Sequence, residues 1–364
     1  MNGKIINGKD GRESEIELLR ILTMCGVIIL HYNNGDIGGG FSYVKSGSLN
    51  YYFLFWLESL CICAVNLFLL ISGYFLCVTQ KRKVIKPLEL ILQVMLFSGV
   101  MYLVTAISGS DTITVRGFLL SLVPNNYFVI LYAAVYIISP YLNILLKKLS
   151  HNQWNKFMIT MMVLFSIWPT LVDLTGEVME TEWIGLSTVG MYGSQWGYSV
   201  VNFILLYIVG AYLRMHGPGR ENESKKVLFI SILLCTVILT GWSLLYGNSA
   251  REYCNPLIII EAAAIFLLFR QLHFYNRKVN ILAESCFTCF ILQNYILGNI
   301  RIGDAVQKAF YKMVLHLILS IICIYGICWC ISFIYSFIMS PVYKRIDSFF
   351  HKRGIDLSVE EEVR

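Results

Sequence analysis

Ten runs of apolar residues divide the chain, at roughly 16–33, 51–76, 86–107, 127–146, 157–175, 197–213, 227–246, 255–270, 282–299 and 314–339. A helix rises ~1.5 Å per residue, so about 20 residues cross a ~30 Å hydrocarbon core. Each run therefore predicts a membrane-crossing helix. The eighth and ninth are short or punctuated by polar residues. Between the third and fourth, Phe118 to Val123 is a shorter apolar piece suited to the membrane interface. The pattern predicts an all-α polytopic membrane protein, a bundle of about ten transmembrane helices. Residues 1–345 form one integral-membrane domain and 346–364 a short tail, basic and then acidic.

Charge tests the count. Cytoplasmic segments of membrane proteins carry an excess of Lys and Arg. With the N-terminus cytoplasmic, the inner segments hold Lys4, Lys9, Arg12 and Arg20; Lys81, Arg82, Lys83 and Lys86; Lys147, Lys148 and Lys156; Arg214, Arg220, Lys225 and Lys226; Arg270, Arg277 and Lys278; and Lys344, Arg345, Lys352, Arg353 and Arg364. That is 23 of the 29 Lys and Arg, with six outside. A wrong number of spans in the middle would scramble the alternation, so both termini are expected in the cytoplasm.

Composition agrees. The 364 residues are 57% hydrophobic and 14% charged, against about 25% charged in soluble domains, and mean hydropathy is +0.64. The net charge of +6 is dispersed in short clusters between spans, so no nucleic-acid surface is predicted. Most of the eleven cysteines fall inside apolar runs and read as small hydrophobes. Cys254 is the one expected near water. Cys286-Phe-Thr-Cys289 lacks the second ligand pair a zinc site needs, so no metal is expected. The first run has a basic leader, but Tyr32-Asn-Asn-Gly-Asp36 offers no A-x-A-like cleavage site, which predicts a retained helix. No internal repeat is visible, against transporters built from inverted halves.

Polar groups inside the spans narrow the chemistry. The first span carries Glu17, Arg20 and His31. Residues eleven apart on a helix differ by only about 20° in azimuth, so Arg20 and His31 share a face, separated by roughly 16 Å along the axis. Ionisable groups within spans are costly and face a bundle interior or watery cavity. Taken alone, Arg20 is the ordinary boundary charge, whereas His31 is a candidate base. In the second span Asn66 is polar, and Ser72 and Gly73 are small enough for helix packing. Pro124-Asn125-Asn-Tyr127 opens the fourth span, where Pro140 predicts a kink or an end. Glu261 is an intramembrane carboxylate, either functional or paired with a distant arginine. Glu284-Ser285 and Gln293-Asn294 are polar groups on the ninth span. No Walker loop, Rossmann glycine pattern or G-x-S-x-G elbow is present.

Arg20 and His31 resemble the first-helix R-x10-H motif of the acyltransferase 3 family, integral-membrane enzymes that O-acylate polysaccharides and other envelope glycans. Glu15-Ile-Glu-Leu-Leu-Arg20 is similar to that family's E-I-D-x-L-R start. Asn66-Leu-Phe-Leu-Leu-Ile-Ser72-Gly-Tyr74 resembles its second-helix D-L-F-F-x-I-S-G-x-L signature. Tyr127 through Pro140, Asn202 through Arg214 and Phe287 through Gln293 resemble later segments, so the likeness runs nearly end to end. Asn66 stands where the family has aspartate. Asn125-Asn126-Tyr127 replaces a frequent H-L-W, and Gln293 replaces a histidine; amides hydrogen-bond but do not exchange protons near neutral pH. The resemblance implies a multi-pass enzyme of the cell membrane moving an acyl group, acetyl first among them, from acyl-coenzyme A to a glycan hydroxyl. It holds no permanent cofactor and lies among membrane lipid. His31 is then the general base and Arg20 the ligand of donor phosphates, with Asn66, Ser72, Tyr74, Asn125, Tyr127, Glu261 and Gln293 as substrate-binding candidates. A transporter or flippase of lipid-linked sugars is the alternative, with His31 on the translocation path.

Overall fold

The computed structural model describes residues 12–79, 82–109, 113–217, 219 and 223–359. Lys4, Lys9, Lys81, Arg220 and Arg364 of the charge pattern, and residues 360–364 of the predicted tail, lie outside them. The described residues form helices and no named strand. In chain order these are α1 (Ser14–Asn33), α2 (Leu49–Cys61), α3 (Ala64–Leu76), α4 (Ile85–Ile107), α5 (Val115–Ser121), α6 (Tyr127–Lys148) and α7 (His151–Met162). Then follow α8 (Trp168–Val178), α9 (Val200–Met215), α10 (Lys225–Tyr246), α11 (Pro256–Arg270), α12 (Arg277–Ala283), α13 (Cys286–Leu297) and α14 (Phe310–Lys352). Among the described residues, seven helices are long and apolar enough to cross a membrane: Leu49–Leu76, Ile85–Ile107, Tyr127–Lys148, His151–Val178, Lys225–Tyr246, Ser249–Arg270 and Phe310–Lys352. Val200–Met215 and Cys286–Leu297 are apolar but shorter. The shorter apolar piece between the third and fourth runs, Phe118 to Val123, overlaps the end of the short helix α5.

Side chains before each apolar run set where the helices begin. Ser48 accepts from Tyr51 N–H, Asn126 from Val129 N–H and Ser199 from Asn202 N–H. Ser150 and Gln153 form a reciprocal capping box, and Asn255 caps α11 just before Pro256 in its first turn. Such oxygens satisfy backbone donors left orphaned at a helix start. Helix α1 has no side-chain cap, but Glu15 and Glu17 lie in its first turn, where the helix dipole favours negative charge. Pro140 does not end α6, which runs on to Lys148. A proline deprives the carbonyl four residues earlier of its donor; here the Ser139 hydroxyl donates to that carbonyl, Tyr136 O, at 2.8 Å.

The chain divides into two compact units. The first comprises Met1–Phe75 and Ser150–Ser332. Helix α1 is packed by α2, α11, α12 and α13, and Leu19, Met24 and Ile28 are buried among them. Helices α3 and α9 cross at two glycines: a Cβ on Gly73 would strike Tyr207 O, and one on Gly210 would strike Leu70 O. Along α10, Phe229, Ile230, Leu233, Leu234 and Val237 are exposed, the apolar belt a lipid-facing helix presents.

The second unit comprises Leu76–Leu149 and Phe333–Arg364. Its interior holds a buried arginine, Arg82. The guanidinium donates to Ser139 Oγ at 3.0 Å, Thr79 O at 2.8 Å and Leu76 O at 2.5 Å. The backbone of the same residue pairs with the tail: Arg82 N–H donates to Ser358 Oγ and Leu357 N–H to Arg82 O.

Candidate active site on the inner face of the first helix

The exposed stripe of α1 passes through Leu22, with half-buried Leu18, Cys25 and Ile29 beside it. Their spacing of four, three and four residues keeps them within about 60° of one another. Arg20 and His31 point to the opposite side, roughly 160–200° around, where Ile16, Met24 and Val27 are buried. Yet the Arg20 side chain stays 36% exposed and His31 is only half-buried. Both side chains thus keep some accessible surface on the packed face of the helix.

His31 Nδ1 is buried without a hydrogen-bond partner. Beside the imidazole lies the side chain of Gln293, from α13. Gln293 is fully buried, and neither its Oε1 nor its Nε2 has a partner at bonding distance. Thr23 Oγ1, on α1 between Arg20 and His31, is a further buried atom without one. Unpaired buried polar atoms cost about 1–3 kcal/mol each, so His31 Nδ1 and the neighbouring Gln293 amide suit a polar ligand, with Thr23 about 12 Å away along the helix. Glu17 accepts from Arg20 Nη1 at 3.2 and 3.4 Å, which aligns the guanidinium along the helix.

The two ends of α1 are tied down differently. Beyond His31, the Tyr32 hydroxyl meets His316 Nδ1 at 3.0 Å, and Asn33 donates to Glu58 Oε2 at 2.9 Å. At the other end, Ser14 Oγ donates to Asn280 Oδ1 at 2.8 Å and Arg12 pairs with Glu284 at 2.8 Å. A cavity of about 540 Å³ opens there, lined by Arg12, Arg277, Asn280, Ile281 and Glu284. Arg12 and Arg277 read in the sequence only as topogenic charge; nothing in their spacing shows that they line a common cavity.

The remaining sequence candidates scatter. Asn66 Nδ2 donates to Tyr253 O at 2.8 Å, tying α3 to the segment before α11. The Ser72 hydroxyl returns to Phe68 O of its own helix at 2.8 Å. Tyr74 is buried, its hydroxyl accepting from Arg214 Nη1 at 3.0 Å, with the Arg214 and Arg270 guanidinium groups 4.8 and 6.0 Å from its ring centre. Glu261 is fully buried and pairs with no arginine; Thr236 Oγ1 donates to its Oε1 at 2.5 Å. Asn125 and Tyr127 are exposed at the start of α6, in the second unit. The structure thus brings together His31 and Gln293, with Arg20 on the same helix face.

Cys254, expected near water, is instead 1% exposed, because its segment folds back and its carbonyl accepts from Ser166 Oγ at 2.6 Å. Cys323 and Cys330, on α14, are the exposed ones. Cys286 lies 3.2 Å from the Tyr325 hydroxyl. Among the described residues no group of three His, Cys, Asp or Glu is placed to hold a metal ion.

An acyltransferase-domain family model, that of the acyltransferase 3 family, matches residues 13–334. The chain belongs to that family of membrane acyltransferases. No curated protein and no solved structure matches it.

Proposed function

We propose that this protein is a multi-pass O-acyltransferase of the cell membrane, moving an acetyl group from acetyl-coenzyme A to a hydroxyl of a cell-envelope or exported polysaccharide. The observation that carries the reading is the closeness of half-buried His31 on α1 to buried Gln293 on α13, with His31 Nδ1 and the Gln293 amide lacking a partner at bonding distance, in a chain of this family. His31 takes the proton of the sugar hydroxyl as that oxygen attacks the thioester carbonyl. The carbon–sulfur bond breaks, and the proton passes to the departing thiolate. Such general-base help contributes ~10²–10⁴ in rate. The Gln293 amide, able to donate and accept, orients the attacking hydroxyl.

In this reading ten helices span the membrane and both termini are cytoplasmic, which puts Arg20 on the coenzyme side. Its guanidinium fork suits the donor's phosphates, and Arg12 and Arg277 flank the entrance. Asn125 and Tyr127, exposed in the second unit, are available to substrate there. Ser72 and Tyr74 are engaged by the protein itself, while Asn66 and Glu261 each keep one buried oxygen without a partner with which to meet substrate. Incubating membranes containing the protein with radiolabelled acetyl-coenzyme A and envelope polysaccharide tests the reading. Label on sugar hydroxyls is expected; movement of lipid-linked sugar across vesicles without label would make the protein a transporter.

A further inference from the structure

A second cavity of about 830 Å³ lies within the first unit, between α8, the segment following it and residues 248–252. Its size falls within the ~300–1,000 Å³ of small-molecule sites. Five carboxylates and four aromatic rings line it, without a single Lys or Arg. Two of the carboxylates are engaged by the backbone: Asp173 Oδ2 accepts from Ser194 N–H at 2.8 Å, and Glu177 Oε1 from Asn248 and Ser249 N–H, each at 2.9 Å. Glu252 differs. It is only 5% exposed, interacts with the side chains of Asp173 and Ser194, and its Oε2 has no partner at bonding distance. Among the described residues, three that are not glycine have a left-handed backbone, Glu180, Gln195 and Trp196 (φ 50, 54 and 55°), and all three line this cavity. Conformations of that kind persist where surrounding structure enforces them, often at ligand sites.

A buried carboxyl oxygen with no partner at bonding distance, in a cavity lined by other carboxylates and by no Lys or Arg, calls for a positively charged ligand that brings its own hydrogens. No metal-holding group of His, Cys, Asp or Glu is present among the described residues, so the charge belongs on an organic ammonium. The rings add a second requirement. Trp183 and Trp196 offer flat faces that attract an ammonium and bury the apolar faces of a sugar, while carboxylates accept from its hydroxyls. We infer that this cavity binds an amino sugar in its protonated, non-acetylated form. The inference goes beyond acyl transfer and does not depend on it, because binding alone is read.

The purified full chain in lipid nanodiscs is titrated by calorimetry, at pH 6, with a glucosamine trimer, its fully N-acetylated counterpart and trilysine. The glucosamine trimer is expected to bind about tenfold or more tightly than either comparator, since one charge-assisted hydrogen bond accounts for that ratio. Glu252→Gln weakens it about tenfold, and so does Trp183→Ala, whose partly exposed ring can be lost without unfolding the unit. If Glu252→Gln does not fold, Trp183→Ala decides. Equal affinity for the acetylated trimer, equal affinity for trilysine, or no binding of the glucosamine trimer overturns the inference.

Discussion

Helix α3 and the pair α1–α13 both carry polar side chains through apolar surroundings, but they use them in opposite ways. On α3, Asn66 donates to a carbonyl of another segment, Ser72 to its own helix, and Tyr74 accepts from an arginine. On α1 and α13, His31 Nδ1 and both ends of the Gln293 amide remain unpaired. In a bilayer the first kind holds helices together. The second kind destabilises the empty protein and awaits a partner from outside the fold. A signature motif therefore mixes bundle architecture with chemistry: Ser72 and Tyr74 are engaged within the protein, whereas Asn66 belongs to both groups, its Nδ2 bonded and its Oδ1 without a partner.

The comparison breaks most visibly at His31. His31→Ala is expected to lower the rate of acyl transfer by ~10²–10⁴ with the melting temperature unchanged; a fully active variant ends the general-base role. Asn66→Leu should do the reverse. It leaves the Tyr253 carbonyl unpaired at a cost of about 1–3 kcal/mol, seen in thermal melts, while kcat per folded molecule stays put. Arg20→Lys keeps the charge and loses the fork, so the donor's KM should rise about tenfold with kcat little altered; an unchanged KM removes Arg20 from phosphate binding. Gln293→Leu removes an amide that lies beside His31 with no partner at bonding distance, so stability should change little while acceptor KM increases. A drop in melting temperature would place Gln293 with the α3 group.

The smallest effect lies apart from both groups. His216, just past the end of α9, has its pKa lowered by burial and then by neighbouring His151. The folded protein thus resists a proton that the unfolded chain accepts near pH 6.5. The stability it contributes is intact above that pH and falls as pH drops through it. His216→Gln should flatten the acid side of the melting profile below about pH 6.5, with no change in activity at neutral pH.

Helix positions were legible because an apolar run of fixed length has few other uses. The shared face of Arg20 and His31 was legible too, since both sit on one helix whose turn is known. Their environment was not. Gln293 stands out as a departure from a family pattern, but its place beside His31 depends on how α13 packs against α1. Pro140 misleads because local rules count the donor it removes and not the hydroxyl of Ser139 that replaces it. Glu261 meets Thr236, a residue of no particular note in the sequence, through one oxygen only, its Oε2 staying without a partner. The carboxylate and aromatic cavity was invisible, being built by irregular backbone between α8 and α9 together with residues 248–252.

The clasp between Arg82 and residues 357–358 has a bearing on biosynthesis. Residues 76–149 leave the ribosome well before 333–359, with the whole of 150–332 made in between. Until the later stretch arrives, the peptide groups around Arg82 have no tail to meet. The second unit is thus completed only after translation has passed the first, and a polymerase error or protease cut that removes 350–359 should leave it open-ended while the helices around His31 assemble as usual.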